Sequence, residues 1–157
     1  MENVEELQQR WGRHRCVLQE VLEKIDEEYL HFAPWDGGMP LSALVFHLTD
    51  SIDQFLANVL DLPFTSSAPL NAQSMDEVRT YLNQATEKTL HTFRQLTITD
   101  LERLIEINEI QDSGGKWLSA AIDHEIHHKG QVFTYARIVG VESVPFFIAK
   151  ENKNSVR

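Results

Sequence analysis

Four long stretches of this 157-residue chain carry apolar residues at every third or fourth position, with charged residues between them. Such spacing gathers the apolar side chains on one face of a helix, and each helix must bury that face against another element. The stretches span residues 4–29, 40–60, 75–93 and 116–139. Since no convincing set of strands accompanies them, we expect an all-α protein folded as a four-helix bundle.

Short sequence signals mark the ends of these helices. Ser74 followed by Glu77 is a capping box, in which Ser74 is the N-cap and the Glu77 side chain reaches back to it. Pro40 suits an early helical position, and Gly140 suits a C-cap. The two prolines and the Gly-Gly pair of HFAPWDGGMP predict a loop over residues 31–40.

The helical pattern weakens between residues 96 and 115. There, TDLERL predicts one short helical turn, LIEINEI predicts a short extended piece, and the Ser-Gly-Gly at 113–115 predicts a turn. Beyond the last helix, VESVPFFIAK predicts a packed loop. We therefore expect a single four-helix domain over residues 1–150, followed by a C-terminal tail over residues 151–157.

Composition limits the partners and sites that this chain can have. Cys16 is the only cysteine, so the chain can form neither an internal disulfide nor a zinc site built from thiolates. A net charge of -10, without a long run of Lys or Arg, argues against nucleic acid as a partner. With no apolar run near the roughly 20 residues that span a bilayer and no secretory signal, we expect a cytoplasmic protein without membrane association.

Residues 124–128 contain three histidines and a glutamate and match H-E-x-x-H, the helical zinc motif of metalloproteases. The longer metzincin pattern fails, because Gln131 and Thr134 stand where glycine and histidine are required. Glu125 lies about 100° around the helix from His124, so it need not face a metal as a protease base would. We expect Glu125 to face solvent or to lie behind the ligands, and we do not expect a protease.

His124 and His128 lie four residues apart, about 40° around the helix, and fall within the stripe predicted to face the core. Two neutral imidazoles in an apolar interior each need hydrogen-bond partners, and a divalent metal would satisfy one nitrogen of each ring. His127 could replace one member of the pair. His14, in the first apolar stripe, suits a partly buried structural role and is a further reserve ligand. The alternative is a solvated histidine cluster at a helix edge.

Two segments resemble a known family. The segment HEIHHKGQVFTYARIVGVESVPFF resembles the last-helix signature H-x-x-x-H-R-G-Q of the DinB/YfiT-like superfamily, with Lys129 where Arg is more usual. PLSALVFHLTDSIDQF resembles the second helix of that family, which supplies a lone histidine. The resemblance covers essentially the whole chain. It implies a DinB-type four-helix bundle and a metal held by His47, His124 and His128, with the remaining coordination positions left to water or substrate.

For His47, the helical periodicity and the family resemblance lead to different predictions. His47 lies about 120° from the centre of the second apolar arc, so periodicity alone predicts a surface position. Asp50 and Gln131 each follow a candidate ligand by three residues and could orient bound water or a ring N–H. The alternative that we favour for both is an ordinary polar position. No residue is assigned a catalytic role from the sequence.

The resemblance also implies a function, because members of the family resemble thiol-cofactor transferases and a thiol-dependent isomerase. The expected activity is S-transfer with a low-molecular-weight thiol such as bacillithiol, at a divalent metal that could be Zn, Ni or Fe. The partners would be a small-molecule substrate and, as a homodimer, a second copy of the chain. Two alternatives stay open: a metal-dependent hydrolase with the same ligands, and a non-catalytic metal-binding module of the stress response.

Overall fold

The computed structural model describes residues 2–150, and the predicted tail over residues 151–157 lies outside the described residues. Within them the all-α four-helix fold is confirmed. Four long helices pack together, and a short helix and a small antiparallel hairpin connect the third long helix to the last. The elements are α1 (Val4–Leu22), α2 (Leu41–Leu60), α3 (Met75–Phe93), α4 (Ile98–Glu102), β1 (Leu104–Ile107), β2 (Ile110–Ser113) and α5 (Gly114–Ile138). No described helix is both long enough and apolar enough to cross a membrane.

The first helix ends earlier than its apolar pattern predicts. Helix α1 stops at Leu22 rather than near residue 29, and a 3₁₀ turn follows over Glu27–Tyr29. Apolar residues after the helix still enter the core, since Ile25 is buried, which is why the pattern extends beyond the helix. The Arg79 guanidinium on α3 donates to the backbone oxygens of Leu22 (3.2 Å) and Ile25 (2.8 Å), and so provides hydrogen bonds to carbonyl groups at and just beyond the helix end.

The N-terminus of α3 confirms one half of its predicted capping box. The Ser74 hydroxyl accepts from the Glu77 amide at 3.0 Å, as an N-cap should. The Glu77 carboxylate accepts from the Gln73 amide at 2.7 Å, one residue before the predicted partner. Pro40 is likewise the N-cap of α2 rather than its first helical residue. Both differences are shifts of a single position.

The weak region contains the short helix that TDLERL predicts, and it also contains a hairpin. LIEINEI is not one extended piece, because Asn108 and Glu109 have positive φ angles of 51° and 66° and turn the chain between β1 and β2. Positive φ at both central residues is typical of a two-residue hairpin loop, usually signalled by Asn-Gly. The predicted turn at 113–115 is also wrong: Ser113 is the N-cap of α5, and the helix begins at Gly114.

The core consists of two apolar clusters, one toward each end of the bundle. One gathers the later part of α1 with the first turns of α2 and α3 and the last turns of α5. The other gathers the start of α1, the ends of α2 and α3, and the first half of α5. Buried polar side chains lie on the same four helices: His14, Arg15, Thr49, Thr86, Thr89, Glu125 and Lys129.

Two of these buried polar side chains, Arg15 and Glu125, form an ion pair. Arg15 and Glu125 are almost fully buried, and their side chains pair through two contacts, Nε–Oε1 at 2.6 Å and Nη2–Oε2 at 2.7 Å. The Trp11 indole N–H donates to the same carboxylate at 2.8 Å, and Arg15 also donates to Thr86 at 3.1 Å. The pair therefore joins α1, α3 and α5. The expectation that Glu125 faces solvent or lies behind metal ligands is wrong.

The ion pair also corrects the predicted orientation of α5. Glu125 and Lys129 lie at the buried centre of this helix, among apolar residues such as Ile122 and Val132. His124 and His128 are only half-buried, so the histidine stripe flanks the core rather than facing its centre. Charged residues with internal partners are indistinguishable from solvated ones in a periodicity pattern, and that is why the predicted stripe is displaced.

The segment after α5, residues 141–149, forms what we call the C-terminal strap. Gly140 has a φ of 98° and ends the helix. The strap reaches α1, where the Ala149 amide donates to the Arg13 carbonyl at 3.1 Å and the Arg13 guanidinium donates to the Ala149 carbonyl at 2.8 Å. Its half-buried Val141 and Val144 pack against the first apolar cluster, consistent with the packed loop predicted for this segment.

Glu125→Gln should lower the free energy of unfolding by about 3–5 kcal/mol, because it leaves the Arg15 charge buried without a counter-charge. Asp123→Asn is the matched control, since it breaks the Arg10–Asp123 pair, in which the Asp123 side chain is 68% exposed, and should cost less than about 1 kcal/mol. Chemical denaturation of both variants measures the difference. Equal losses would show that burial of the pair is irrelevant to stability.

Gly114→Ala should destabilise the protein by about 1–3 kcal/mol, because the added methyl group would overlap the Asp100 backbone carbonyl and crowd the Val59 side chain. Gly12→Ala is the control: nothing lies within 4 Å of the added atom, and the change should stabilise α1 by about 0.5–1 kcal/mol. Thermal unfolding of the two variants should therefore shift in opposite directions. A stable Gly114→Ala variant would contradict the close approach of α4 and α5.

Candidate metal centre

Helices α2 and α5 bring three histidines together at the surface of the bundle. His47 comes from α2, and its ring centroid lies 5.1 Å from that of His124 and 4.8 Å from that of His128. The rings of His124 and His128, one turn apart on α5, have centroids 4.4 Å apart. One nitrogen from each ring lies within 4.8 Å of the others. We call these three residues the histidine triad.

The triad fits a divalent metal ion. The Nε2 atoms of His124 and His128 lie 3.1 Å apart. Two ligands of a tetrahedral zinc ion, each about 2.0–2.1 Å from it, would lie about 3.3 Å apart, so little movement is needed. In the metal-free contact one of these nitrogens must carry the proton, whereas an ion would replace that proton and bind both. The residues can therefore hold a metal through imidazole nitrogens.

Hydrogen bonding orients one of the two rings on α5. The Gln131 Oε1 atom lies 2.6 Å from Nδ1 of His128, and an amide oxygen can only accept, so Nδ1 carries the proton. Nε2 of His128 is then left with its lone pair directed at His124. This is the outer partner that a metal-binding histidine usually has. Nδ1 of His124 is buried and makes no hydrogen bond to any described residue.

The surroundings of the triad favour the uncharged form of the His124 and His47 rings. The pKa of His124 is lowered to about 4, first by burial and then by the neighbouring His128, His47 and His127. The pKa of His47 is also lowered, first by burial and then by His128, against an opposing effect of the Asp50 carboxylate. A neutral imidazole is the form that binds metal, so the site favours the ligand form near neutral pH.

Asp50 lies near the triad but has other partners. Its carboxylate accepts from the Tyr81 hydroxyl at 2.8 Å and from the Ser66 hydroxyl at 2.5 Å. Among the described residues no hydrogen bond joins it to a triad ring. Asp50 thus ties α2 to α3 and to the loop between them, and it acts on His47 through its charge. Burial, followed by the contact with Asp50, raises the pKa of Tyr81 to about 12.

Sequence reasoning missed Tyr81, because only the packing of α3 against α2 reveals its contact with Asp50. It also did not anticipate the partners of Lys129. The buried Lys129 ammonium group lies 2.8 Å from Nδ1 of His14 and donates to the Phe147 carbonyl of the C-terminal strap. A histidine paired with a lysine is an unsuitable metal ligand, and burial followed by the Lys129 charge lowers the pKa of His14 to about 4.

His127 also stays outside the triad. Its side chain is exposed, and its ring centroid lies 5.0 Å from that of His128. Within residues 2–150, the triad is the one group of three or more His, Cys, Asp or Glu side chains arranged so that they could hold a metal ion. The structure thus brings together the three ligands implied by the family resemblance and gives neither reserve histidine a place among them.

Comparison with known proteins supports the family resemblance found in the sequence. A model of the DinB family matches residues 1–153. The protein YjoA of Bacillus subtilis is 34% identical over 141 residues, which cover 85% of this chain and 89% of YjoA. The crystal structure of YjoA, a DinB-like protein, superposes with a TM-score of 0.77 at 27% identity in the structural alignment, over 92% of this chain and 99% of that one.

A second solved structure shows the same fold at lower identity. The crystal structure of a DinB-like protein from Bacillus cereus ATCC 10987 superposes with a TM-score of 0.78 at 19% identity. It covers 90% of this chain and 95% of that one. The overall fold of the bundle is therefore shared with these DinB-like proteins.

Single substitutions His47→Ala, His124→Ala and His128→Ala should each abolish stoichiometric metal binding at neutral pH, because two imidazoles hold a divalent ion much more weakly than three. Metal content of the purified proteins, measured by mass spectrometry after incubation with zinc, nickel or iron(II), provides the test. His127→Ala is the matched control and should keep its metal. Full metal content in all three triad variants would show that the triad is not the site.

Proposed function

The chain belongs to the DinB family, and on that premise we propose that it is a metal-dependent S-transferase, which joins a low-molecular-weight thiol through its sulfur to an electrophilic small molecule. The metal would be held by His47, His124 and His128. The observation that carries the proposal is the geometry of the triad, whose nitrogens lie within 4.8 Å of one another at the surface of the bundle. Three protein ligands with an open position are typical of catalytic rather than structural metal sites.

The surrounding residues support this function by holding the ligands ready. Gln131 fixes the ring of His128 with a proton on Nδ1, and burial keeps His124 neutral. The Arg15–Glu125 pair fixes the rotation of α5, so the two rings keep their position relative to α2. A divalent metal bound there would supply a positive charge that favours the thiolate form of a thiol over the protonated form. Preorganised ligands of this kind leave one side of the ion for a substrate.

The chain offers no protein thiol for this chemistry, and a substrate thiol is needed instead. Cys16 lies on α1, whereas the triad lies on α2 and α5, and its Sγ atom contacts the Arg13 carbonyl. Partial burial raises the pKa of the Cys16 thiol, which opposes the thiolate form required of a nucleophile. In the proposed transfer, the external thiol loses its proton to solvent, a carbon–sulfur bond forms at the electrophile, and the leaving group departs with its electron pair.

The proposal includes the partners of the enzyme. The substrates are a small-molecule electrophile and a thiol of the bacillithiol type, and the working form is a homodimer. Hydrolysis by the same ligands and a non-catalytic role in metal binding are the competing functions. They differ from S-transfer in a measurable way, because hydrolysis needs no thiol and a binding module turns over neither substrate.

Metal-loaded protein should accelerate conjugation of a thiol-reactive dye to at least one of bacillithiol, cysteine, coenzyme A and glutathione. His124→Ala should lose about a hundredfold or more of this rate, since the ion and its charge are lost together. Turnover is measured by dye fluorescence with each thiol, and His127→Ala is the control that should keep the wild-type rate. Metal bound without turnover of any thiol or ester would refute an enzymatic role, whereas ester cleavage without thiol would identify a hydrolase.

A further inference from the structure

The contact between His124 and His128 contains one proton, and the neighbouring Gln131 decides which ring carries it. The Nε2 atoms of the two rings lie 3.1 Å apart, so one must donate and the other must accept. Nδ1 of His128 carries a proton, because it lies 2.6 Å from the Gln131 Oε1 atom. A neutral imidazole has only one N–H, which leaves Nε2 of His128 as the acceptor. The proton of the contact therefore belongs to Nε2 of His124.

Gln131 thus acts on two rings although it touches only one. The three side chains stand at positions i, i+4 and i+7 of α5, within about 60° of one another around the helix. They form a chain of two hydrogen bonds that runs from the Gln131 oxygen through His128 to His124. Both bonds lie within one helix, so the order of donors and acceptors does not depend on His47 or on α2.

The far end of this chain has no partner. Nδ1 of His124 is buried and makes no hydrogen bond to any described residue. Burial and the neighbouring histidines lower the pKa of His124 to about 4, so the ring is neutral and Nδ1 holds a lone pair. The two rings therefore differ. Gln131 fixes the tautomer of His128, whereas no described residue fixes Nδ1 of His124 in either state.

This difference matters for metal binding through the Nε2 atoms. His128 already presents a lone pair at Nε2, which is the form that a metal requires. His124 presents an N–H there and must change its tautomer. Nε2 gives up its proton to water and Nδ1 takes one from water, so the ring stays neutral and no net proton is released. The unpartnered Nδ1 atom offers no bond that would oppose this change.

We propose that Gln131 is a positioning residue of the metal centre, which presets Nε2 of His128 as a ligand and makes His124 the ring that changes tautomer when metal binds. Gln131 acts through His128 and touches neither metal nor substrate. The inference rests on the triad as the metal site of the proposed function. The tautomers of the metal-free protein, in contrast, depend only on the contacts within α5.

NMR of the ring nitrogens in the full metal-free chain tests these tautomers at about pH 8, where an ordinary imidazole is neutral. His128 should be protonated at Nδ1 and His124 at Nε2. Gln131→Leu removes the acceptor and should give a mixture of tautomers, whereas Gln131→Glu keeps an acceptor and should restore the wild-type pattern. Gln54→Leu, the same change at an exposed position of α2, should alter neither ring. A lone pair on Nδ1 of wild-type His128, or an unchanged pattern in Gln131→Leu, would overturn the proposal.

The same measurement with zinc added tests the change at His124. Its proton should move to Nδ1, while His128 keeps its proton on Nδ1. Gln131→Leu should bind zinc about 10- to 100-fold more weakly in competition with a chelator, and Gln54→Leu should bind it as the wild type does. Equal affinity of Gln131→Leu and the wild type, or zinc bound with the proton still on Nε2 of His124, would overturn the proposal. A wild-type protein that binds no metal would instead refute the proposed function, and the metal-free spectra would still decide the role of Gln131.

Discussion

The bidentate pair between Arg15 and Glu125 determines how the last helix is rotated in the bundle. Because Glu125 must point inward to reach Arg15, the positions just before it and just before Lys129 lie on the flank of α5 that faces α2. Those positions are His124 and His128. Taking two charges out of water costs free energy, and the net gain in stability from such a pair is small. Its clearest effect here is geometric, since it selects one rotation of α5 out of several that would bury apolar surface.

The sequence predicts those features that depend on neighbours along the chain. Helical periodicity predicts the four long helices, the Ser74 cap follows from its local motif, and the exposure of His47 follows from its place on α2. Features that depend on distant partners are missed. Glu125 meets Arg15 across 110 residues, so its burial has no local signal. The end of α1 depends in the same way on Arg79, a residue of another helix.

In the candidate site, too, features set by neighbours along the chain are predicted and features set by distant partners are not. The i, i+4 spacing of His124 and His128 suggests a metal pair from sequence alone, and the position of His47 on a polar face does not. Only the packing of α2 against α5 brings the third ring within reach. The family resemblance implied that residue, whereas the periodicity of this sequence alone did not. The role of Asp50 could not be predicted either, because its hydroxyl partners come from α3 and from the preceding loop.

The C-terminal strap has a consequence for the order in which the fold is completed. It takes one set of contacts from Arg13 on α1 and another from Lys129 on α5, so it has no complete binding surface until those helices have paired. The Arg13–Ala149 contact closes a loop of 136 residues, and contacts of such separation form late. A chain that ended before Phe147 would keep the segments of all four long helices, yet it would lose the carbonyl partner of a buried lysine. Docking of the strap is therefore expected to be the last step of folding, because it requires that α1 and α5 have already packed together.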